Sequence, residues 1–517
     1  MKLVFDIETN GLSEVIVEKD RAVKEGDKVW CIVTCDVDTG AIRRFTPDLI
    51  EEGVNFLRGA ELLIGHNIMF FDVPFIERFY GKLDVPIRDT LIVSRMMYPD
   101  IKSHPLGNNS LKSWGKFLGN EKIEFEEDFN NYSPEMLTYC EQDVMVNLEI
   151  YNYQCKFVKE YPKSVILEHL VSKIIAHQIE NGIGFDIDRA DRLEQSLAME
   201  RVSIEDELCG IFPPIVEERW SDKTGKKLKS KVTYFNPSSR KQIASRLLTK
   251  YGWQAPKTDK GNPKVDSEIL KKLDFPEAKM LVRSFDITKL MGMVSDWILR
   301  ATSSRDGRIH GSVNPQGTVT GRMTAKQPNL QQVSSNKDAR SLFKPRDGWI
   351  QVGIDASSLE ARLLANRMYN WDGGDYGDIV IHGDIHAENQ IKAGLPDRSS
   401  SKTFFFALIY GAGDGKIGSI IGKSRREGKK IKERYLDEMP ALKKLIDSVR
   451  FQVSKKGTIT LLDNREVPCR AEHKALNVQI QGDGAILMKL AQCIFYRALK
   501  NKFGDKAEFM ATVHDEW

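Results

Sequence analysis

Asp6 and Glu8 stand two residues apart in Leu3-Val4-Phe5-Asp6-Ile7-Glu8, a stretch that reads as a β-strand. Side chains at i and i+2 of a strand share a face, with Cα atoms roughly 6–7 Å apart. Two carboxylates so placed can share a pair of divalent cations about 3.5–4 Å apart. By themselves they read as ordinary solvated acids. Asp72 follows a Gly65-His66-Asn67 turn, and Tyr139 and Asp143 fall at i and i+4, on one side of a helix. With these three residues added, the balance moves to a metal site.

A second set lies downstream. Ile350, Val352 and Ile354 alternate with Gln351, Gly353 and Asp355, so one strand face is apolar and the other ends in a carboxylate. Ala511 and Val513 alternate with Met510, Thr512 and His514, and that run ends in Asp515-Glu516. Each aspartate alone is an ordinary strand-end residue; brought together they would form another two-metal site. Between them runs Arg398-x-x-x-Lys402-x-x-x-Phe406-x-x-x-Tyr410-Gly411. On a helix, steps of four advance roughly 6 Å and drift roughly 40°. Pro396-Asp397 marks a helix start, so both cations lie near its positive end. Such a stripe suits a nucleoside triphosphate, with phosphates at Arg398 and Lys402 and the base near Phe406 and Tyr410. Periodicity alone favours a plainer reading, an amphipathic helix packed through Phe404, Phe405 and Leu408.

Residues 1–160 must position the first set, and they alternate short apolar runs with helical patterns, as an α/β unit does. Val4-Phe5, Ile32-Val33 and Leu62-Leu63-Ile64 read as strands. Ser133-Pro134 starts a helix with Leu137, Cys140, Val144, Leu148, Tyr151, Cys155 and Val158 on one stripe, and Tyr161-Pro162 ends it. Residues 163–300 are mostly helical, broken by a loop with five lysines between Lys223 and Lys231. Strand character returns over 305–364. Residues 365–480 are helical, with seven cations in the twelve residues 423–434. An amphipathic helix covers 485–500, and 509–515 reads as a strand.

At roughly 150 residues per domain, 517 residues suggest about three domains. Hydrophobic residues at 41% and charged residues at 29% exclude disorder as the dominant state. The formal charge of +3 makes no case for nucleic acid, so local clusters must. The apolar run 404–410 falls well short of the roughly 20 residues that span a membrane. Asp6 and Glu8 interrupt any signal-peptide core. Seven cysteines without a CxxC framework argue against structural zinc and a disulfide scaffold, and fit a reducing cytosol.

The first set resembles the three motifs of the DEDD 3′→5′ exonuclease superfamily, tyrosine variety, over about the first 155 residues. The resemblance implies an RNase H-like fold and two Mg²⁺ or Mn²⁺ ions held by Asp6, Glu8, Asp72 and Asp143, with Tyr139 orienting the attacking water. Asp355-Ala-Ser-Ser-Leu-Glu360-Ala-Arg362, the 398–411 segment and Val513-His514-Asp515-Glu516 resemble motifs A, B and C of family A DNA polymerases, nearest the T7-like phage type. Thr320-Gly321-Arg322, Gly383-Asp384-Ile385-His386 and Tyr410-Gly411-Ala412-Gly413-Asp414 extend the similarity over nearly the whole chain.

The resemblance implies an RNase H-like exonuclease domain followed by a right-hand polymerase of palm, fingers and thumb. Asp355 and Asp515 would hold two metals for attack of the primer 3′-oxygen on the α-phosphate. Arg398, Lys402 and His386 would bind the triphosphate, and Lys402 would protonate the leaving pyrophosphate. Glu360 would close the space beside the sugar 2′ position; Ser357-x-x-Glu360 also reads as a capping box. Tyr410 and Gly411 would border the nascent pair, and Phe406 goes with discrimination against dideoxynucleotides. Arg322 and Gln481 would read minor-groove acceptors. His514 and Glu516 would support the primer end and the metal site. The run 423–434 would hold DNA phosphates, unless it is simply a solvated face.

The expected regions are exonuclease over 1–160, thumb and connecting helices over 161–304, palm over 305–364 and 481–517, and fingers over 365–480. The function expected is template-directed DNA synthesis with proofreading in phage replication, on primer–template DNA and dNTPs in a bacterial host cytoplasm. Three departures qualify this. The chain ends at motif C, so a palm lacking its return strand is expected, as in a fragment or one part of a split polymerase with a separate C-terminal partner. The short stretch between Pro213 and Phe235 leaves no room for a thioredoxin-binding insertion. Some relatives carry Tyr where Phe406 stands. The alternatives are a 3′→5′ exonuclease whose polymerase half only binds primer–template, and a non-catalytic primer–template clamp. A single-subunit RNA polymerase is disfavoured by Glu360 and the exonuclease motifs.

Overall fold

The computed structural model describes residues 1–10, 28–121, 125, 129–304, 306–333 and 335–517. Two compact units result: Met1–Gly182 with His310–Gln331 and Val352–Trp517, and Ile183–Ile309 with Gln332–Gln351.

The first unit opens with β1 (Lys2–Thr9), β2 (Val29–Asp36), β3 (Ile42–Phe45), β4 (Leu62–Gly65) and β5 (Ile87–Asp89), in the order β3-β2-β1-β4-β5. β1 runs antiparallel to β2 and parallel to β4. Helices α1 (Ile50–Arg58), α2 (Asp72–Tyr80), α3 (Thr90–Met97) and α4 (Leu111–Leu118) precede the long α5 (Pro134–Glu160) and α6 (Pro162–Asn181). Leu3, Phe5 and Ile7 pack with α1 and α2, while Val4 packs with Cys140 and Val144 of α5. A central strand covered on both faces must be apolar almost throughout. The two-residue period then turns Asp6 and Glu8 toward the face that α5 covers.

Ser133 caps α5 by accepting the Met136 amide, Pro134 opens it, and it stops at Glu160 before Tyr161-Pro162, as predicted; Pro162 then opens α6 at once. The buried surface of α5 is wider than the predicted stripe and takes in Val146, Asn147, Ile150 and Gln154. The cause is packing on two sides: the sheet meets Cys140 and Val144, and Trp114 of α4 meets Val146 and Ile150.

The rest of this unit is a helical core around Leu359–Asp372, Arg398–Ile409, Pro440–Lys456 and Ala475–Phe503. Two predicted strands differ. Residues 350–354 form no regular strand; the Ile354 and Trp517 backbones pair at 2.8 and 2.9 Å, and the Ala356 amide donates to Asp515 at 3.0 Å. The predicted apolar face is open, with Ile350 85% and Val352 64% exposed, because no further strand pairs there among the described residues. Residues 509–515 also form no regular strand. Val513 and Glu516 close a tight turn with His514 at φ 55°.

The second unit packs the helices Ile187–Ile211 and Pro276–Ser303 together and carries a short sheet of Phe343–Lys344, Ile183–Phe185 and Arg308–Ile309. Its Lys-rich segment is a hairpin, not the predicted loop: Ile215–Trp220 pairs with Lys227–Thr233. β-branched residues on both arms favour the ladder. Glu218 and Glu217 answer Lys227 and Lys231 across it. Among the described residues, no helix is long and apolar enough to cross a membrane.

Candidate active sites

At the N-terminal centre, Asp6, Glu8 and Cys140 each offer a ligand atom within 4.8 Å of the others. The Cys140 thiol donates to Asp6 Oδ2 at 3.7 Å. Asp72 opens α2 and reaches back to the Ile7 amide between the two acids of β1. It is 3% exposed, and its Oδ1 has no hydrogen-bond partner among the described residues. Burial, aided by the nearby Asp89 charge, pushes the Asp72 carboxyl up to about 7 against the pull of backbone amides. Asp143 is buried one turn after Cys140 on α5. Tyr139 sits at the same end, its ring 5.5 Å from Phe125. Carboxylate oxygens around an orphaned buried acceptor are the donor set a hard divalent cation takes.

Sequence reasoning missed the support of this centre. Asp89 is fully buried and accepts the amides of Asn67, Met69 and Leu91, fixing the turn that leads to Asp72. His169 Nδ1 donates to Val165 O, so its Nε2 accepts the Asp89 amide at 2.8 Å. Burial holds this imidazole below its usual pKa, in keeping with a neutral ring. Cys140 was legible only as a core residue.

At the second centre, Asp515 lines a cleft with Arg322, Met488, Lys489, His514 and Trp517. The Asp355 backbone lies opposite Glu516, and Ala356 lies opposite Asp515. Asp355 is exposed, and among the described residues these carboxylates form no three-ligand group like the N-terminal one. Glu360 accepts from Arg322 Nη2 at 3.4 Å and Tyr410 Oη at 3.5 Å. The predicted capping box is absent. The helix Leu359–Asp372 starts from Ser358 in the left-handed region at φ 55°, with no side-chain cap, so Ser357 lies outside it. Glu360 is thereby left to residues far away in sequence.

Asp397 caps the Arg398–Ile409 helix through the Ser400 amide at 2.8 Å. Phe404, Phe405 and Leu408 are buried, so the plain amphipathic reading holds for that face. On the open face, Arg398 forks onto Asp384 at 2.7 and 3.1 Å, a contact the sequence did not disclose. Arg398 draws the Asp384 carboxyl down to about 2. Asp384 also accepts the amides of His386 and Ala387, capping the preceding helix Ile385–Ala393. Burial and the charges of Arg398 and Lys402 hold His386 below its usual pKa, which brings these three residues into one field. The Phe406 ring lies 6.3 Å from His386 and 6.2 Å from Tyr410. Gly411 has φ 74°, and a Cβ there would stand 2.2 Å from the His473 carbonyl. Gln481 donates to Asn477 at 2.7 Å, one turn before Gly484 and Ala485 of the cleft. In the 423–434 run, Lys429, Lys430 and Lys432 are ion-paired, while Lys423, Arg425 and Arg426 are exposed.

The chain matches the family described as DNA polymerase family A over residues 216–517. It is 30% identical to the DNA-directed DNA polymerase of Escherichia phage T7, over 99% of this chain and 93% of the relative. That alignment runs over 671 residues against a chain of 517, so the relative carries insertions. Identity is 27% with DNA polymerase I of Aquifex aeolicus, covering 99% of this chain and 88% of the relative. A solved structure, the POL domain of Pol1 from M. smegmatis complexed with DNA primer-template and dNTP, superposes with a TM-score of 0.76 at 19% identity, covering 95% of this chain and 86% of that one. On the family match and the phage relative together, this chain belongs to DNA polymerase family A.

Proposed function

We propose that the protein extends a DNA primer by template-directed nucleotidyl transfer and trims the same primer 3′→5′ at its N-terminal centre, as a phage replication enzyme in a bacterial cytoplasm. The observation that carries the reading is the contact of Glu360 with Arg322 and Tyr410 beside the cleft that Arg322 and Asp515 line. In this reading the palm comprises 305–364 and 481–517, the fingers 365–480, and the thumb 161–304.

Arg398, Lys402 and His386 hold the triphosphate of an incoming dNTP at the start of the Arg398–Ile409 helix, where the helix dipole adds to their charge. Arg398 reaches it by leaving Asp384. Glu360, fixed between Arg322 and Tyr410, occupies the place a ribose 2′-hydroxyl would need. Tyr410 and Gly411 border the nascent pair, with the Gly411 backbone pressed on His473. Lys402 gives a proton to the departing pyrophosphate, and Arg322, Gln481 and His514 hold the primer–template. Asp355 and Asp515, with Glu516 beside them, are the residues to hold two Mg²⁺ or Mn²⁺ ions here; Asp6, Glu8, Asp72 and Asp143 are those of the N-terminal centre. Bound there, such ions supply charge stabilisation and a more acidic attacking oxygen. In the trimming reaction Tyr139 orients the water.

A primer-extension assay with the full chain, a 5′-labelled primer–template and Mg²⁺ tests both halves. Extension with dNTPs that Asp355→Ala abolishes, and shortening without dNTPs that Asp6→Ala abolishes, are the expected results. A primer that only shortens would favour the exonuclease whose polymerase half merely binds DNA, a reading the exposed Asp355 and the sparse 354–517 pairing support.

A further inference from the structure

Two thiols stand against the N-terminal carboxylates. Cys140 on α5 and Cys31 on β2 are both free and fully buried. Cys31 lies opposite Glu8 in the β1–β2 ladder, and the Cys140 thiol meets both Cys31 and Asp6. Asp6 and Cys140 are 134 residues apart in sequence, which hides the cluster from any spacing rule.

Distance makes this more than a crowded core. A metal–sulfur bond of about 2.3 Å and a metal–oxygen bond of about 2.1 Å at a tetrahedral angle set sulfur and oxygen about 3.6 Å apart. The Cys140 Sγ to Asp6 Oδ2 separation is 3.7 Å, and Glu8 supplies a third ligand atom within 4.8 Å. Asp72 adds an independent sign. Its side chain is more than nine-tenths buried, its Oδ1 is unbonded among the described residues, and it reaches β1 between Asp6 and Glu8. Oxygen ligands alone favour magnesium, whereas a thiolate selects softer cations.

We propose that this centre also binds a thiophilic divalent cation of the zinc or cadmium class through the Cys140 thiolate together with Asp6 and Glu8. Binding forms a metal–sulfur bond and releases the Cys140 thiol proton to solvent, with no change of oxidation state. Without such a cation, burial and the surrounding acids keep the thiol protonated, and Cys140 serves Asp6 only as a neutral donor. The site shares its carboxylates with the trimming reaction proposed above, so a soft cation and Mg²⁺ compete for it.

Cadmium titration of the full chain tests this through the thiolate-to-cadmium charge-transfer absorption. The expected result is a band saturating at one cation per chain, displaced to higher cadmium by excess Mg²⁺. Cys140→Ala and Cys140→Ser should lose the band, Cys209→Ala should keep it, and Asp6→Asn should weaken binding at least roughly tenfold. A band that survives in either Cys140 variant, or that neither Asp6→Asn nor Mg²⁺ alters, overturns the proposal. If neither Cys140 variant folds, the Asp6→Asn and Mg²⁺ results decide it. Trimming by the unaltered chain in Mg²⁺ is scored separately. Trimming without a cadmium band defeats this proposal alone; a Cys140-dependent band without trimming defeats the exonuclease reading alone.

Discussion

Asp72 shows how one buried carboxyl ties ionisation to stability. An aspartate in an unfolded chain titrates near 3.9, whereas here the carboxyl is pushed up to about 7. Between those values the folded chain keeps a proton that the unfolded chain has lost. Stability of the metal-free protein should therefore fall as pH rises from about 4 to about 7, and level off above. Asp72→Asn should flatten that decline and raise the melting temperature at pH 8, and excess Mg²⁺ should raise that of the unaltered chain; calorimetry in a chelator and then in Mg²⁺ checks both. At the second centre, Phe406→Tyr should relax discrimination against dideoxynucleotides, and Glu360→Ala should admit ribonucleotides. Chain-termination patterns on one template read both, and unchanged patterns would count against these assignments. Asp6 and Glu8 could be singled out from their local spacing, whereas Asp72 and Asp143 joined them as candidates through the resemblance of the three motifs together. Asp89, His169 and Cys140 were not legible, since each acts through a partner at least 20 residues away in sequence.

Among elements, the helix Ile385–Ala393 and the helix Arg398–Ile409 are joined by one side chain. Asp384 caps the first and holds Arg398 of the second. Asp384→Asn keeps a capping oxygen and loses the ion pair, whereas Asp384→Ala loses both. Because Arg398 must leave Asp384 to reach the triphosphate, the dNTP KM should fall several-fold in the Asn variant, and the Ala variant alone should lose about 1 kcal/mol of stability. Equal KM values in all three proteins would remove Asp384 from nucleotide binding. The helix starts at Ser133 and Asp397 were legible because a cap and its first turn lie within a few residues. The strand readings of 350–354 and 509–515 failed because alternation is necessary for a ladder but does not supply a neighbouring strand.

At the scale of the molecule, Glu168 of α6 is the most consequential charge that the sequence left unread. It is fully buried and accepts from Lys489 Nζ at 2.7 and 2.9 Å, Arg465 Nη1 at 3.1 Å and Gln316 Nε2 at 2.8 Å. The two cations hold its carboxyl below the usual range in spite of burial. Glu168→Gln would leave two buried cations short of a counter-charge and should cost roughly 3–5 kcal/mol. Arg470 pairs with Asp100 from a 70% exposed side chain, and Arg470→Ala should cost no more than about 1 kcal/mol. Urea midpoints compare the two, and similar shifts would refute the ranking. Nothing in the sequence around Lys489 names Glu168, 321 residues away.

That carboxylate also sets a timetable for the nascent chain. Glu168 leaves the ribosome 321 residues before Lys489. At about 5–20 residues per second, the wait is roughly 15–60 s. Throughout it, α6 carries a charge that water must solvate, so the face it later buries cannot close. The five strands and α5 all lie within the first 160 residues and can pair by then, leaving the Asp89 amide to wait only for His169 of α6. Synthesis halted before residue 489 should therefore yield a protease-resistant N-terminal layer followed by an α6 that is still cut, whereas a chain released past the long helix should lose that cleavage.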